Sequence, residues 1–335
     1  MATPVSVTAP PLRPVALAVA GLVLCASLPF WALRSDYAVG LLLQIAIYAG
    51  FGLSWHLLAG YTGQYSFGHA TFFGTGAYAT AILSYRADVS PWLGILVGAV
   101  AAAIVGIVVG VVTIRLTGLF FGLVTFGTSL VLGVLANHFV GLTGGAAGLS
   151  LPLRPGQPLM MSFDSQVPLY EITLLVVFVF LTFTWLVLRT RRGLLWRAVR
   201  DDEVAAEASG IPVRRVRIGA LSVSAAMAGV VGGIYAQSLL FIDPTSAYGL
   251  TQSVNAIFTA LIGGMGLIGG PIAGAVLFVL LRELGNVVSG GNGVYSVLFY
   301  SCVVFAVILF APGGLGGIAG RLFRAVRDRG RRGSR

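Results

Sequence analysis

Lysine is absent from this 335-residue chain, in which all 21 basic residues are arginine. A Walker A loop needs a lysine to hold the nucleotide phosphates, and a Schiff base needs a lysine amine. The chain therefore lacks both kinds of site. We expect that it is not an enzyme and that any ATP hydrolysis belongs to a separate polypeptide. A nucleotide-composition bias in the host is the simplest cause of the missing lysine.

Cysteine and histidine are scarce, with two and three residues respectively. Cys25 and Cys302 both lie inside apolar runs, where a thiol behaves as a small hydrophobic group. The pattern predicts no disulfide framework, no metal site and no cofactor. A membrane-embedded enzyme is a poor fit, because no run contains clustered carboxylates, a His-rich metal pattern or a nucleophile beside a base.

Charge is also scarce: 10% of the residues are charged, 57% are hydrophobic, and the mean hydropathy is +0.94. A soluble fold would have too little polar surface to cover itself, so the surface must face lipid. Only helices and closed barrels satisfy the backbone inside a bilayer. Long charge-free runs favour helices, since barrel strands alternate polar and apolar residues. The sequence therefore predicts an all-α, polytopic transmembrane helical bundle.

The apolar runs set the number of crossings, because a helix needs about twenty residues to cross a bilayer. The block 251–281 is long and contains several glycines, so it must cross twice or turn back. We expect about ten membrane segments, including short broken helices. The predicted blocks are 15–33, 39–58, 64–85, 91–114, 116–139, 169–188, 218–242, 251–281 and 293–310.

Two arginine clusters, 189–217 and 321–335, fix the predicted orientation, because basic residues near membrane spans favour the cytoplasmic side. Counting spans from the first cluster places both termini in the cytoplasm and the loop 140–168 outside. The predicted parts are a cytoplasmic tail 1–14, a membrane domain 15–320 with a cytoplasmic loop 190–217, and a basic tail 321–335. The arginines expected outside are Arg34, Arg86, Arg154 and Arg282.

Glycines and hydrogen-bonding side chains occur at membrane depth in two segments. Ordinary close helix packing is one explanation. The other is a broken helix that lines a transport path, because irregular backbone in a bilayer must face protein or a water-filled cavity. Paired Gly-interrupted segments in two halves of a chain favour such a path. Its candidate residues are Gly60, Gly63, Gln64, Ser66, Gly68, His69, Gly263, Gly264 and Gly266. We interpret His69 as a packing residue, without proton coupling.

The loop 190–217 has the features of a structured cytoplasmic helix. An apolar face and an arginine face are predicted for its first part, with Leu194 and Val199 on the apolar side. Acidic residues 201–203 suit a helix N-terminus, and Gly210 ends the helix before Pro212. A solvated positive tether would explain the arginines alone. A docking helix for a cytoplasmic partner explains the whole pattern.

Five stretches resemble the permease subunits of branched-chain amino-acid ABC importers, a family that also includes urea importer permeases. The stretch from Arg191 is the most specific, because membrane physics does not demand its order of charges. The matching stretches are GYTGQYSFGHATFFGTGAYATA from Gly60, TGGAAGL from Thr143, RRGLLWRAVRDDEVAAEASGIPVRRVRIGALSVSAAMAGVVGGIYA from Arg191, LIGGMGLIGGPIAGA from Leu261 and PGGL from Pro312.

The resemblance implies a multi-pass permease in the cell membrane of a prokaryote. Its implied partners are a second permease subunit in a heterodimer, two cytoplasmic ABC ATPases and an extracytoplasmic solute-binding protein, with no nucleic acid. The loop 190–217 would dock on the ATPase and couple ATP hydrolysis to alternating access. The implied coupling residues are Gly193, Arg197, Arg200, Asp201, Asp202, Glu203, Glu207 and Gly210.

This sequence departs from the family pattern at two places. The family commonly has Gly-Arg where Gly193-Leu194 stands here, and polar residues where Ala146 and Ala147 stand. An importer of urea or amides remains an alternative. An ion-coupled secondary transporter is disfavoured, because the long apolar runs carry none of the costly ionisable groups that coupling requires.

Overall fold

The computed structural model describes residues 21–29, 35–152, 156–310 and 314. These residues form thirteen α-helices, two short 3-10 helices and two strands of two residues each, besides the helical stretch 21–29. The predicted all-α class is therefore confirmed. The tails 1–14 and 321–335 lie outside the described residues. Of the first predicted span, 15–33, the structure describes only residues 21–29.

The helices follow one another along the chain with short connections. They are α1 Asp36–Thr62, α2 Ala70–Arg86, α3 Pro91–Val112, α4 Gly118–His138, α5 Val140–Thr143, α6 Val167–Arg189, α7 Arg191–Asp201, α8 Glu203–Ala208, α9 Val213–Leu239, α10 Pro244–Tyr248, α11 Leu250–Gly263, α12 Gly270–Val288 and α13 Gly293–Phe310. The strands β1 Leu149–Ser150 and β2 Phe241–Ile242 pair antiparallel, with Leu149 opposite Ile242. This pair joins the loop after α5 to the end of α9.

Within the described residues, six helices are long and apolar enough to cross a membrane: α1, α3, α4, α6, α9 and α12. Each overlaps one of the apolar blocks predicted from the sequence. The block 251–281 contains α11 and the first part of α12, separated at residues 264–269. The helix break expected in this block is therefore present at its glycines.

Local sequence signals explain several helix ends. Ser35 caps α1, and its hydroxyl accepts a hydrogen bond from the Ala38 amide at 3.3 Å. At the other end Gly63 adopts the left-handed conformation, with φ of 70°, which glycine reaches without a side-chain clash. Pro91 opens α3, where its missing N–H has no helical acceptor to lose.

Helices α1 and α9 form the centre of the bundle. Of their most apolar 18-residue windows, 67% and 61% of the residues are buried, against 28–33% for α3, α4, α6 and α12. A helix in the centre of a bundle is covered on every side, whereas a lipid-facing helix buries only one side. The central helices accordingly contribute buried polar residues, among them Ser54 and His56 of α1 and Ser224 of α9.

Glycines let the backbones of α2, α3 and α9 approach closely. A Cβ added at Gly76 would overlap the backbone of Gly229, and one at Gly232 would overlap the carbonyl of Phe73. A Cβ at Gly98 would lie 2.8 Å from the Gly76 oxygen. Small residues at helix contacts in a membrane let the backbones approach closely, and the resulting van der Waals packing stabilises the contact. Many of the chain's glycines therefore serve packing.

Candidate translocation path and docking segment

The first predicted break lies between α1 and α2 and is shorter than expected. Gly60 lies inside α1, because that helix continues to Thr62, and the irregular backbone covers residues 63–69. The Trp55 indole donates to the Ser66 carbonyl at 2.7 Å. The Gly68 amide donates to the Thr125 hydroxyl of α4 at 3.3 Å. Side chains from two helices thus hold the break in one conformation.

His69 ends this break and is fully buried. Its Nε2 lies 3.1 Å from the Ser54 hydroxyl of α1 and 3.4 Å from the Ser224 hydroxyl of α9. Ser224 in turn donates to the Ser54 carbonyl at 2.6 Å. The ring therefore joins the two central helices directly at the start of α2.

The second predicted break lies between α11 and α12. Gly263 is the last residue of α11, and Gly264 has φ of 99°. A Cβ added at Gly263 would overlap the Gly270 carbonyl, whereas Gly266 has no atom within 4 Å of its Cβ position. The three glycines therefore differ: the first permits a close approach, the second a left-handed backbone, and the third lies in open space.

Helix α1 connects the two breaks. The His56 ring contacts the Met265 carbonyl through Nε2 at 3.1 Å, one helical turn before Gly60. The amide of Ala70, at the start of α2, donates to the Ser253 hydroxyl of α11 at 2.9 Å. Because both breaks touch the second half of α1, the structure brings the two sequence-predicted segments to the same end of the bundle.

The docking segment, residues 190–210, folds as the two short helices α7 and α8. The buried face of α7 consists of Gly193, Trp196 and Val199. Of the residues that the sequence placed on the apolar side of this helix, Val199 is buried against the protein, whereas Leu194 is 62% exposed on the protein surface. A Cβ at Gly193 would lie 2.5 Å from the Leu188 Cα, so glycine lets α7 fold back on the end of α6.

Helix α8 presents a largely exposed surface. Asp202 caps it, and its carboxylate accepts from the Ala205 amide at 3.0 Å. Ala206 is its one buried residue, while Val204 is 78% exposed. The remaining exposed candidates are Arg197, Arg200, Asp201, Asp202, Glu207 and Gly210, the last with φ of 80°.

One direct polar contact joins the docking segment to the end of α1, and a chain of two contacts reaches the first break through α9. Arg200 donates to the Gly60 carbonyl at 2.9 Å. Glu203 pairs with Arg217 of α9 at 2.8 Å, and the Arg217 carbonyl accepts from Gln64 at 3.3 Å. A displacement of α7 or α8 would therefore act directly on the end of α1, and on residues 63–69 through the first turns of α9.

Sequence reasoning missed the contact that Arg282 makes inside the bundle. The sequence placed Arg282 in an outer connection that follows the apolar run, whereas the residue lies within α12, more than one turn before Val288. Its guanidinium donates to the Tyr48 hydroxyl of α1 at 3.1 Å. The charge-free run ends at Leu281, and hydropathy alone does not show that the helix continues beyond it.

The fold and these contacts define a multi-pass helical membrane protein with a structured, charged segment bonded to a broken helix. The chain belongs to the family described as "branched-chain amino acid transport system / permease component", whose model matches residues 37–312. The resemblance inferred from the sequence is thereby confirmed.

Individual relatives match most of the chain. It is 28% identical to the high-affinity branched-chain amino acid transport system permease protein LivM of Escherichia coli (strain K12), over 89% of this chain and 73% of that protein. It is 24% identical to LivH of Salmonella typhimurium, over 80% of this chain and 90% of that protein. The ribose import permease protein RbsC of Bacillus subtilis (strain 168) is 31% identical over 43% of each chain. No solved structure gives a significant match.

Proposed function

We propose that this chain is one membrane subunit of an ATP-binding-cassette importer that carries branched-chain amino acids into the cell. The observation that carries the proposal is the hydrogen bond from Arg200 to the Gly60 carbonyl, which ties the exposed docking segment to the helix end beside the first break. Separate cytoplasmic ATPases bind α8 and supply the work. This chain forms the path for the solute, and its docking segment transmits the movement of the ATPases to that path.

The named relatives support both the substrate class and the assembly. LivM and LivH are both described as permease proteins of a branched-chain amino acid system, and this chain is similar to each. The proposed assembly therefore contains a second, related permease beside this one, two ATPases and an extracytoplasmic solute-binding protein. Its location is the cell membrane of a prokaryote.

In the proposed topology the chain has ten membrane segments, assigned in the order of its helices. The stretch 21–29 begins the first segment, α10 and α11 together make one broken crossing, and the others are α1, α2, α3, α4, α6, α9, α12 and α13. Helix α9 separates the docking segment from the β1–β2 pair, so the two lie at opposite ends of the bundle. With the arginine-rich docking segment inside, the strand pair is outside and both termini are cytoplasmic.

Coupling in this scheme is mechanical and local. ATPase closure displaces α7 and α8, and the contacts of Arg200 and Gln64 transmit the displacement to the end of α1 and to residues 63–69. Because α1 also contacts the second break through His56, both breaks shift together. The path then alternates between outward-open and inward-open states.

The docking surface is tested with the double variant Val204→Arg/Glu207→Arg in the complete complex, reconstituted in liposomes with ATP. Both side chains point to solvent, so we expect unchanged assembly of the two permeases and at least a tenfold loss of ATPase binding and of leucine uptake. Arg115→Glu reverses an exposed charge in the turn between α3 and α4, outside the docking segment, and is the control, expected to stay within twofold of the parent. Full uptake by the double variant would refute the docking assignment.

The same liposomes separate the substrate alternatives. The wild-type complex should accumulate radiolabelled leucine in an ATP-dependent manner and should not accumulate urea. Urea accumulation without leucine accumulation would replace the amino-acid proposal with an importer of urea or amides. Leucine accumulation that follows an ion gradient and needs no ATP would favour a secondary transporter.

A further inference from the structure

A small cavity lies among α1, α9, α12 and the start of α6, far from the docking segment. Its volume is about 170 Å³, well below the roughly 300–1,000 Å³ of pockets for drug-sized ligands, so it suits a solute of amino-acid size. Its polar lining residues are Gln44, Tyr48, Gln166, Tyr235, Ser238 and Arg282.

The cavity reaches membrane depth. Helix α12 runs antiparallel to α1, because Pro271 lies beside Gly52 while Glu283 hydrogen-bonds Tyr37 near the start of α1. Tyr48 lies about 18 Å along α1 from Asp36 at 1.5 Å per residue. Side chains on a helix tilt toward its N-terminus, so Arg282 points from α12 deeper into the bundle.

Among the described residues, no carboxylate forms an ion pair with the Arg282 guanidinium. The ion pairs within 4.0 Å among the described residues are Arg200–Asp201 and Arg217–Glu203. The neighbouring Glu283 is engaged instead with Tyr37 and, at 3.5 Å, with Asn286. A guanidinium has five N–H donors, and the Tyr48 hydroxyl accepts from only one of them. Such a group favours an anion with two acceptor oxygens.

Two buried amides lie one layer beyond the cavity. Gln252 donates to the Tyr235 hydroxyl at 3.4 Å, and Asn255 donates to the Tyr48 hydroxyl at 3.5 Å. Both side chains are less than one tenth exposed, at 7% and 4%. Their carbonyl oxygens have no hydrogen-bond partner in the structure. Neither amide lines the cavity, so the two side chains act on it only through the Tyr235 and Tyr48 hydroxyls, whose rings do line it.

We propose that this cavity binds an α-amino acid, with its carboxylate on Arg282, its amino group among the polar side chains of the lining, and its aliphatic side chain against Leu43 and Ile47. These two residues are buried and line the same cavity. The assignment rests on the proposed function and adds the contact that selects the solute. Urea and sugars lack a carboxylate, so the site discriminates against them.

An outer cavity supplies an entrance. Its volume is about 340 Å³, and it shares Gln166 and Ser238 with the inner cavity. Residues 161–166, which precede α6, form much of its wall, together with Asp36 at the start of α1. In the proposed topology these elements lie on the outside. The solute therefore enters between α1, α6 and α9 and reaches Arg282 without crossing the lipid.

The test is direct binding of radiolabelled leucine to the purified permease pair, without the solute-binding protein. We expect Arg282→Gln to weaken leucine binding at least tenfold and Arg282→Lys to weaken it less, because lysine keeps the charge but not the planar fork. Leucinol, which lacks the carboxylate, should bind the wild type and Arg282→Gln with the same weak affinity, so it should compete poorly with leucine on the wild type and at least tenfold better, relative to leucine, on Arg282→Gln. Wild-type leucine affinity in Arg282→Gln at an unchanged melting temperature would overturn the proposal.

A second variant covers the case in which Arg282→Gln does not assemble. Tyr48→Phe keeps the ring and the arginine but removes the hydroxyl that orients the guanidinium and contacts Asn255. We expect a threefold to tenfold loss of leucine affinity, and unchanged affinity in both Tyr48→Phe and Arg282→Lys would overturn the proposal. ATP-driven leucine uptake by the wild type tests the proposed function separately. If the wild type transports leucine and the variants do so equally well, only this binding site is refuted.

Discussion

The substitution Gly68→Ala tests whether the first break is held by close packing with α4. A Cβ at residue 68 would lie well inside van der Waals contact of the Thr125 carbonyl and 2.8 Å from the Phe126 nitrogen. The obstacle is helix backbone, which cannot rotate away as a side chain does. Either α4 moves or residues 63–69 leave their present conformation.

The loss of folding stability expected for Gly68→Ala has two contributions. Overpacking of a tight contact costs about 1–3 kcal/mol. Displacing α4 also weakens the bonds that the amides of Phe67 and Gly68 donate to the Thr125 hydroxyl, at 3.1 and 3.3 Å, and each of these contributes about 1 kcal/mol. The expected destabilisation is therefore about 3–5 kcal/mol, a large share of the roughly 5–15 kcal/mol that stabilises a typical folded chain.

Thermal unfolding of the purified permease pair in detergent measures this cost. We expect the midpoint of Gly68→Ala to fall by about 6–20 °C, since 1 kcal/mol shifts the midpoint of a large domain by about 2–4 °C. Gly266→Ala is the matched control, because no atom lies within 4 Å of its Cβ position. Equal midpoints for the two alanine variants would refute the packing argument.

Two further predictions concern the contacts between the break and the docking segment. Gln64→Ala should lower the unfolding midpoint by the equivalent of about 1–3 kcal/mol, because it removes the donor to the Arg217 carbonyl at a buried site; a midpoint equal to the parent's would contradict this. Glu203→Arg should reduce ATP-driven leucine uptake, and the exchange Glu203→Arg/Arg217→Glu should restore part of it. In a double-mutant cycle on stability we expect a coupling of about 1 kcal/mol, since the pair is partly exposed, and no coupling would show that the ion pair is dispensable.

Sequence patterns predicted the positions of both helix breaks for local reasons. Gly63 ends α1 in a left-handed conformation, and Gly264 follows the last residue of α11 with a positive φ, so both depend on glycine itself. The length of each irregular segment was less predictable. Gly60 lies inside α1 because the helix gains hydrogen bonds and tertiary contacts through Thr62, and one glycine in a helix costs only about 1 kcal/mol.

In the docking segment, too, the local features were predictable from the sequence and the tertiary contacts were not. Asp202 and Gly210 bound α8 as the sequence indicated, since capping and left-handed backbone are local properties. The residues of α7 that the protein covers were not predictable, because the neighbours decide which side of a short helix is buried. Trp196 packs inward and Leu194 remains exposed once Gly193 lets α7 fold back on α6. That the segment docks on an ATPase stays a prediction.

The sequence by itself determined the membrane class, the helical spans, the two glycine breaks and the capped charged helix, because hydropathy, propensity and capping act over one to twenty neighbouring residues. The tertiary structure alone decided the inner environment. It placed Arg282 against Tyr48, brought both breaks to one end of α1, and bonded Arg200 to the Gly60 carbonyl. These contacts join residues separated by more than a hundred positions, and only the packing of the helices sets such distances.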